Sequence, residues 1–505
     1  MDINEQSLGR GEIYYSSLME MSDTAECSAE ISLPDYYPEI KRVVSVTAEA
    51  LPDSKFLSEH ELEYGGTVSF TVLYIGDDGS LSCVPYSGEY SGSVHLPEKL
   101  QINPAAVRIT TKADTPQCRV TSPRKMSLKV RLRSLVSADG MCEYYCTVKN
   151  AAGENVSGEY LEFSESTLPT VCRKWLSHTG NVSGPVEIPE GAKPVSCSGT
   201  VITESVSVKN GTVTVRGWVA VNCIILNADG VYTTVCGKIP FEESVADDGV
   251  NETDSAVACG RAASVSVTTD SGGEATAEFD LDITLNRKSE FTVTDDLYST
   301  AAETELSRTE ISPICYLALS SGRLTLDGDI LRRNNAADGY IVTSAAEPIF
   351  DKAEVREGKF VLSGTCHAKV YIADEGDIVC EEANLPFKYE ANAGTDAASQ
   401  EILWYGSVTA ADLNAKLSGD KIHFSCELYT TVEAVKKYRA LPVGEAVIGE
   451  RYDCGEGCTV RICCPPAGMP VWEIGKKNHA SLRDLERVNG VSRDGKTDGN
   501  PIIIL

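Results

Sequence analysis

The chain of 505 residues has no long apolar run and a deficit of positive charge. No segment approaches the roughly 20 apolar residues that a membrane-spanning helix needs. The first 21 residues lack the basic and apolar segments of a secretory signal, which favours an intracellular protein. With 45 Lys and Arg against 74 Asp and Glu, the net charge is −29. Nucleic-acid binding requires a basic surface that neutralises phosphates. We therefore expect neither membrane insertion nor a nucleic-acid partner.

Signatures of catalysis and metal binding are also scarce. The six histidines are scattered and form no H-E-x-x-H motif, and no G-x-S-x-G elbow or paired-carboxylate signature stands out. The 18 cysteines form no disulfide framework, and most lie singly in strand-like runs as small hydrophobes. We predict a non-enzymatic protein with no cofactor and no metal site. Metal or redox chemistry stays open for one cluster, Cys454, Cys458, Cys463 and Cys464, and to a lesser degree for Cys142 and Cys146.

A repeated pattern is the main feature that the sequence does contain. Three segments start and end with glycine: Gly66 to Gly79, Gly217 to Gly230, and Gly364 to Gly376. Within each segment, apolar residues alternate with polar ones. Their first glycines are 151 and 147 residues apart (217 − 66 and 364 − 217). Eleven residues after each second glycine stands an aromatic residue: Tyr90, Phe241 and Phe387. Period-two alternation is typical of a strand with one buried face, and so long a repeat indicates whole domains.

The regions between these runs favour an all-β body. They contain turn-forming clusters of Gly, Asn, Asp and Ser, whereas long stretches of helical period are scarce. We predict a mainly β protein with three tandem antiparallel β-sandwich-like domains, followed by a small β-α-α-β module. The expected bounds are an N-terminal segment over 1–30, β-domains over 31–165, 185–300 and 325–445, and the C-terminal module over 457–505.

The C-terminal module differs from the rest in charge and pattern. Residues 457–505 have seven Lys and Arg and five Asp and Glu, a local +2 that leaves −31 on the remainder (−29 − 2). A strand is predicted over 459–464, a first helix from Val471 and a closing strand over 501–505. We expect Ser481 to cap a second helix, with Asp484 at the capping-box position.

One stretch of this module imitates a nucleotide-binding motif. Residues 490–497 read Gly-Val-Ser-Arg-Asp-Gly-Lys-Thr and satisfy the phosphate-loop expression G-x-x-x-x-G-K-[ST]. Phosphate binding there needs a strand before the loop and a helix after it. Here a helix is predicted before the loop, and Pro501 disfavours one after it. We therefore expect a surface turn, and an ATPase stays as a third hypothesis only because the letters match.

The order of these parts resembles a known family. Residues 33–46, 66–81, 122–128 and 291–299 resemble the SPOCS domain of SipL-type spore-coat morphogenetic proteins. The C-terminal module is similar to LysM, in which a Trp-x-Ile-x-x-Lys helix leads to a second helix ending at an asparagine: Trp472, Ile474, Lys477 and Asn489. The resemblance implies a scaffold or adaptor in the mother-cell cytoplasm that is recruited to the forespore surface. There, SipL-type proteins work with a coat-basement ATPase of the SpoIVA type.

The resemblance also indicates which surface binds a partner. LysM domains bind glycans through the loop after the first strand and the loop before the last strand. The first of these loops usually has a Gly-Asp-Thr step, but 466–470 reads Pro-Ala-Gly-Met-Pro, which favours a protein partner. The candidate contacts are Met469, Val471, Trp472, Lys476, Lys477 and Asn489. The β-domains are expected to self-associate or recruit other coat proteins. The alternative is a carbohydrate-binding protein that attaches a β-rich body to peptidoglycan.

Overall fold

Antiparallel strands make up most of the protein. The computed structural model describes residues 11–58, 61–96, 101–150, 160–269, 272–333, 339–374, 377–392, 401–451 and 460–505. All sheets in these ranges are antiparallel except for one parallel strand pair. The predicted mainly β class is therefore confirmed.

A first pair of facing sheets is built around two central strands, β3 and β7. Its strands are β1 (Gly11–Ser32), β2 (Ile40–Leu57), β3 (Glu61–Gly76), β4 (Leu81–His95), β5 (Gln101–Ala113), β6 (Gln117–Ser122) and β7 (Lys125–Tyr145). One sheet has the order β1-β7-β5, with β6 also on β7, and the other has the order β2-β3-β4. Alternate apolar residues of β3 and β7, such as Phe70 and Leu128, fill the core between them. We call this pair the first unit.

Two further sheet pairs repeat this strand order. The second unit contains β9 (Leu161–Pro185), β10 (Lys193–Lys209), β11 (Thr212–Leu226), β12 (Tyr232–Ala246), β13 (Ser255–Thr268) and β14 (Glu274–Ser299). The third unit contains β16 (Ile314–Leu331), β17 (Tyr340–Arg356), β18 (Lys359–Asp374), β19 (Asp377–Asn392), β20 (Glu401–Ser418) and β21 (Lys421–Lys437). Their sheets are β13-β14-β9 with β10-β11-β12, and β16-β21-β20 with β17-β18-β19. Each pair encloses its own apolar core.

The first strand of every unit begins earlier than the expected domain bounds. Strand β1 occupies much of the expected N-terminal segment over 1–30 and pairs along β7. Strands β9 and β16 begin at Leu161 and Ile314, before the expected starts at 185 and 325. These edge strands alternate half-buried with exposed residues over much of their length, so their apolar pattern is weak. Gly180 and Gly184, which lie between the expected bounds of the first two β-domains, are therefore part of strand β9.

The three units close into a ring. Strands β4, β12 and β19 contact β10, β17 and β2 of the next unit, so the third unit returns to the first. One hydrogen bond at each junction shows the contact: Leu81 N to the Tyr232 hydroxyl (2.8 Å), Thr234 Oγ1 to the Val342 carbonyl (2.8 Å), and the Arg42 guanidinium to the Ile378 carbonyl (2.7 Å). An apolar cluster draws on all three units: Leu73, Ile75, Leu81, Ile224, Val342, Tyr371 and Ile378.

A small basal sheet connects the ring with the C-terminal residues. It contains β8 (Thr147–Asn150), β15 (Ala302–Arg308) and β22 (Val443–Arg451) in the order β15-β22-β8. Its apolar residues pack against the ends of β7 and β14 through side chains such as Tyr144 and Leu297. The end of β14 also contacts the C-terminal module.

The C-terminal residues form a β-α-α-β arrangement with its own core. Its elements are β23 (Arg461–Cys463), α1 (Val471–Asn478), α2 (Leu482–Asn489) and β24 (Ile502–Ile504). The antiparallel β23-β24 ribbon packs its inner face on the helices through Ile502 and Ile504. Within the described ranges, no helix combines the length and apolarity that crossing a bilayer requires.

Candidate functional site

The first glycine of each repeat lies at a crowded crossing of strands. Each pairs directly with the aromatic residue that recurs in the sequence: Gly66 with Tyr90, Gly217 with Phe241 and Gly364 with Phe387. On its other side, the neighbouring strand has a β-bulge at residue 53, 204 or 351. A Cβ atom at any of these glycines would overlap a backbone carbonyl oxygen of the bulged strand. These glycines therefore allow close packing of backbone and ring.

The second glycines have a different task. Gly79 and Gly230 occupy turns with φ of 81° and 79°, a conformation that favours glycine. Gly376 lies outside the described residues. The described glycines of the repeats therefore have structural roles in their units and mark no shared polar site. The C-terminal module is the next candidate for a functional surface.

Several of the candidate contact residues hold that module together. Val471 is fully buried in its core, and Met469 packs against the same core. The Asn489 side chain joins α2 to β24, because its Nδ2 donates to the Ile503 carbonyl (2.7 Å) and its Oδ1 accepts from Ile503 N (2.7 Å). Lys477 is exposed on α1. Of these four side chains, Lys477 alone is exposed.

Trp472 and Lys476 contact the body of the same chain. The Trp472 indole nitrogen donates to Asp296 Oδ2 at 3.0 Å, and the Lys476 ammonium lies 2.6 and 2.7 Å from the two oxygens of that carboxylate. The Trp472 ring also meets Tyr298 edge to face, with the ring centroids 5.0 Å apart. Charge-assisted bonds of this length are the stronger class of hydrogen bond. Both residues therefore fix the module to the end of β14.

Tyr298 enters the junction between the two helices. Its hydroxyl donates to the Ala480 carbonyl at 2.7 Å, and the side chain is 2% exposed. A Cβ atom at Gly475 would collide with this hydroxyl, so a glycine in the middle of α1 admits the tyrosine. Burial raises the pKa of the Tyr298 hydroxyl, which keeps it a hydrogen-bond donor.

Helix α2 is capped from the body and not by its own sequence. Glu162 Oε1, at the start of β9, accepts from Ser481 Oγ (3.1 Å) and from Leu482 N (3.0 Å). Ser481 makes no side-chain bond to the helix, and Asp484 pairs with Arg487 at 2.7 Å. The expected capping box is therefore wrong. A carboxylate from another strand occupies the helix N-terminus, where the peptide dipoles favour negative charge.

The outer face of the β23-β24 ribbon is uncovered. Ile462 pairs with Ile503, and side chains at alternate positions of a strand share one face. Four large apolar residues lie on this face and are exposed: Val460 (53%), Ile462 (70%), Ile503 (39%) and Leu505 (59%). We call this set the aliphatic face. Contiguous exposed apolar surface marks interaction sites, whereas single exposed apolar residues are ordinary.

A cleft separates the module from strand β9. It has a volume of about 490 Å³ and is lined by Phe163, Ser164, Glu165, Pro470, Trp472, Leu482, Arg493, Asp494 and Gly495. The two loops of the module that flank it are those before α1 and after α2. It therefore combines aromatic walls with acidic and basic side chains.

The phosphate-loop-like stretch does not take up phosphate-loop geometry. Gly490 ends α2 with φ of 65°, and the loop leads to β24, so a helix precedes it and a strand follows. The Thr497 side chain is 5% exposed, and its hydroxyl donates to the Pro466 carbonyl at 2.8 Å. The hydroxyl that would ligate a phosphate-bound metal thus stabilises a turn.

Of the cysteine cluster, Cys463 and Cys464 are described, while Cys454 and Cys458 lie outside the described residues. No group of three or more His, Cys, Asp or Glu suited to a metal ion occurs in the described ranges. Comparisons with protein-family models, with curated proteins and with solved structures find no match.

Two features were not predicted from the sequence. One is the set of body residues that bind the module, and the other is the aliphatic face. Asp296 and Tyr298 belong to the quoted segment 291–299, but nothing in its pattern indicates a distant helix as their partner. Three consecutive isoleucines at 502–504 gave a usable signal, since alternation turns the middle one outward. Ile503 is that residue, and it pairs with exposed Ile462.

Proposed function

We propose that this chain is a non-enzymatic scaffold of the SipL type for spore-coat assembly. The three units are SPOCS-like domains and the C-terminal module is LysM-like, as the sequence resemblance implies. The protein acts in the mother-cell cytoplasm and docks at the forespore surface on a coat-basement ATPase of the SpoIVA type. The observation that supports this best is the aliphatic face.

The two faces of the module have different tasks in this proposal. Trp472 and Lys476 are engaged with Asp296 of the body, so the module is held in one orientation. The aliphatic face points away from the helices and is left for a partner. The family resemblance places the partner protein on the Trp472 surface. We propose instead that the partner protein binds Ile462 and Ile503, which are exposed.

The charge distribution agrees with docking through the module. The remainder of the chain has a net charge of −31, and the module has +2. Long-range repulsion between acidic bodies disfavours chance association, whereas the near-neutral module approaches a partner without this cost. The ring is then free to space or recruit further coat components.

Co-purification from sporulating cells tests this function. The full chain should retain a coat-basement ATPase of the SpoIVA type, and the variant Ile462→Ser with Ile503→Ser should lose it. The matched control is Ile349→Ser, at a residue 48% exposed on β17. Retention of the ATPase by the ribbon variant, or its absence from the wild-type eluate, would contradict the proposal.

A glycan-binding function is the second candidate, and the cleft beside the module favours it. Phe163 and Trp472 offer ring faces, while Glu165, Arg493 and Asp494 offer polar groups, the combination that sugars require. In that case the full chain should bind peptidoglycan fragments, and binding should fall on Phe163→Ala. Lys477→Ala, an exposed change outside the cleft, serves as the control.

A further inference from the structure

A second cleft lies where the three units meet. Its volume is about 370 Å³, within the usual range for small-molecule sites. Its walls come from β5 and β7 of the first unit, β13 of the second and β20 and β21 of the third. We call it the axial cleft.

Glu433 lines this cleft with unmet hydrogen-bonding capacity. Its side chain is on β21 and 3% exposed, and its Oε1 has no hydrogen-bond partner in the described chain. The buried cation nearby, Arg173, is engaged with Asp139 through two bonds of 2.6 Å. Burial raises the pKa of Glu433, and the positive charges of Arg173 and Arg108 oppose this. A buried carboxyl oxygen without a hydrogen bond is costly, so a partner for Oε1 is expected.

Asn286 adds a second group of this kind. It is 1% exposed, and apart from Glu433 its amide has no hydrogen-bond partner among the described residues. A hydrogen bond from Asn286 lowers the pKa of Glu433, so the two side chains adjoin. They come from different units, so ring closure brings them together.

The rest of the lining defines the chemistry of a ligand. Arg108 and Lys112 place positive charge on the β5 side, and Leu135, Ile402 and Trp404 provide apolar surface. An acidic group would be held by the two cations, and an ammonium or N–H group would satisfy Glu433. We propose that the axial cleft binds a small amphoteric molecule of the class of amino acids and short peptides. This site is additional to the proposed scaffold function and independent of the module.

Calorimetric titration of the purified full chain tests the proposal. The probes are the free amino acids and a panel of dipeptides at millimolar concentration. At least one probe should bind, and Glu433→Gln and Arg108→Gln should each weaken that binding about 10- to 100-fold, since each loses a charged hydrogen bond. The matched control, Glu427→Gln, lies on the same strand outside the cleft and should bind as the wild type does.

Two results would overturn the site. One is the absence of heat for every probe with wild-type protein, and the other is equal affinity in the wild type and in both cleft variants. Circular dichroism of each variant shows whether it is folded, and two variants on different units keep the test independent of one substitution. Because no partner protein is present, failure here leaves the scaffold function standing.

Discussion

At the residue scale, Glu433 differs from the exposed acids because burial disfavours the charged form of its carboxyl group. Burial is the main cause of its raised pKa, and the groups that face it include Arg173, Arg108 and Asp139. A carboxyl with a raised pKa holds its proton to a higher pH in the folded state than in the unfolded state. Its contribution to stability is therefore complete below the ordinary value of 4.5 and is lost as the pH rises through the folded pKa.

Glu433→Gln should remove this loss of folding stability at high pH, because the amide stays neutral at every pH. We expect the variant to exceed the wild type in free energy of unfolding by about 1–3 kcal/mol at pH 8, and the two to converge near pH 4.5. Urea unfolding at both pH values measures the difference. Glu427→Gln is the control on the same strand, and a wild type more stable than Glu433→Gln at pH 8 would contradict the account.

At the element scale, the repeated glycines let a bulged strand and an aromatic ring approach one central strand. Gly217→Ala should therefore lower stability by about 1–3 kcal/mol, because the added methyl group overlaps the Ile202 carbonyl and the Phe241 ring. Denaturant unfolding measures the loss. Gly449→Ala, where the nearest atom is 3.5 Å from the added Cβ, should change stability little. Equal stability of both variants would contradict this prediction, because it would show that the strands at Gly217 can shift to accommodate the methyl group.

The docking of the module on the body makes a second prediction for elements. Asp296→Asn should weaken the salt bridge to Lys476 and loosen the module, so amide hydrogens of α1 and α2 should exchange faster while β11 keeps its protection. Hydrogen exchange followed by mass spectrometry measures this. Asp280→Asn, which changes a half-buried carboxylate on β14 bonded to Thr179, is the control. Unchanged exchange in both helices would contradict a structural role for Asp296.

Sequence pattern was sufficient for the elements that bury one clear face. The alternation after Gly66 and Gly217 predicts β3 and β11, and the two short helices lie where their apolar spacing places them. The edge strands β1, β9 and β16 escaped because they bury few apolar side chains. The capping prediction failed because Glu162 competes from more than 300 residues away, and local sequence contains no information on such a contact.

At the scale of the whole molecule, ring closure should couple the three units. Ile224→Asp would place a charge in the cluster where all units meet, and we expect it to lower the unfolding temperature and broaden or split the transition. Differential scanning calorimetry measures this. Ile349→Asp, at an exposed position of β17, should keep the wild-type profile. A sharp, unshifted transition in Ile224→Asp would show that the units unfold independently.

We propose that the chain is a scaffold that docks through the aliphatic face of its C-terminal module. The most direct measurement is the position of a fluorescent fusion of the full chain in sporulating cells, with Ile462 and Ile503 either intact or both replaced by serine. We expect a shell around the forespore for the intact chain and diffuse mother-cell fluorescence for the variant. A forespore shell formed equally by both would contradict it.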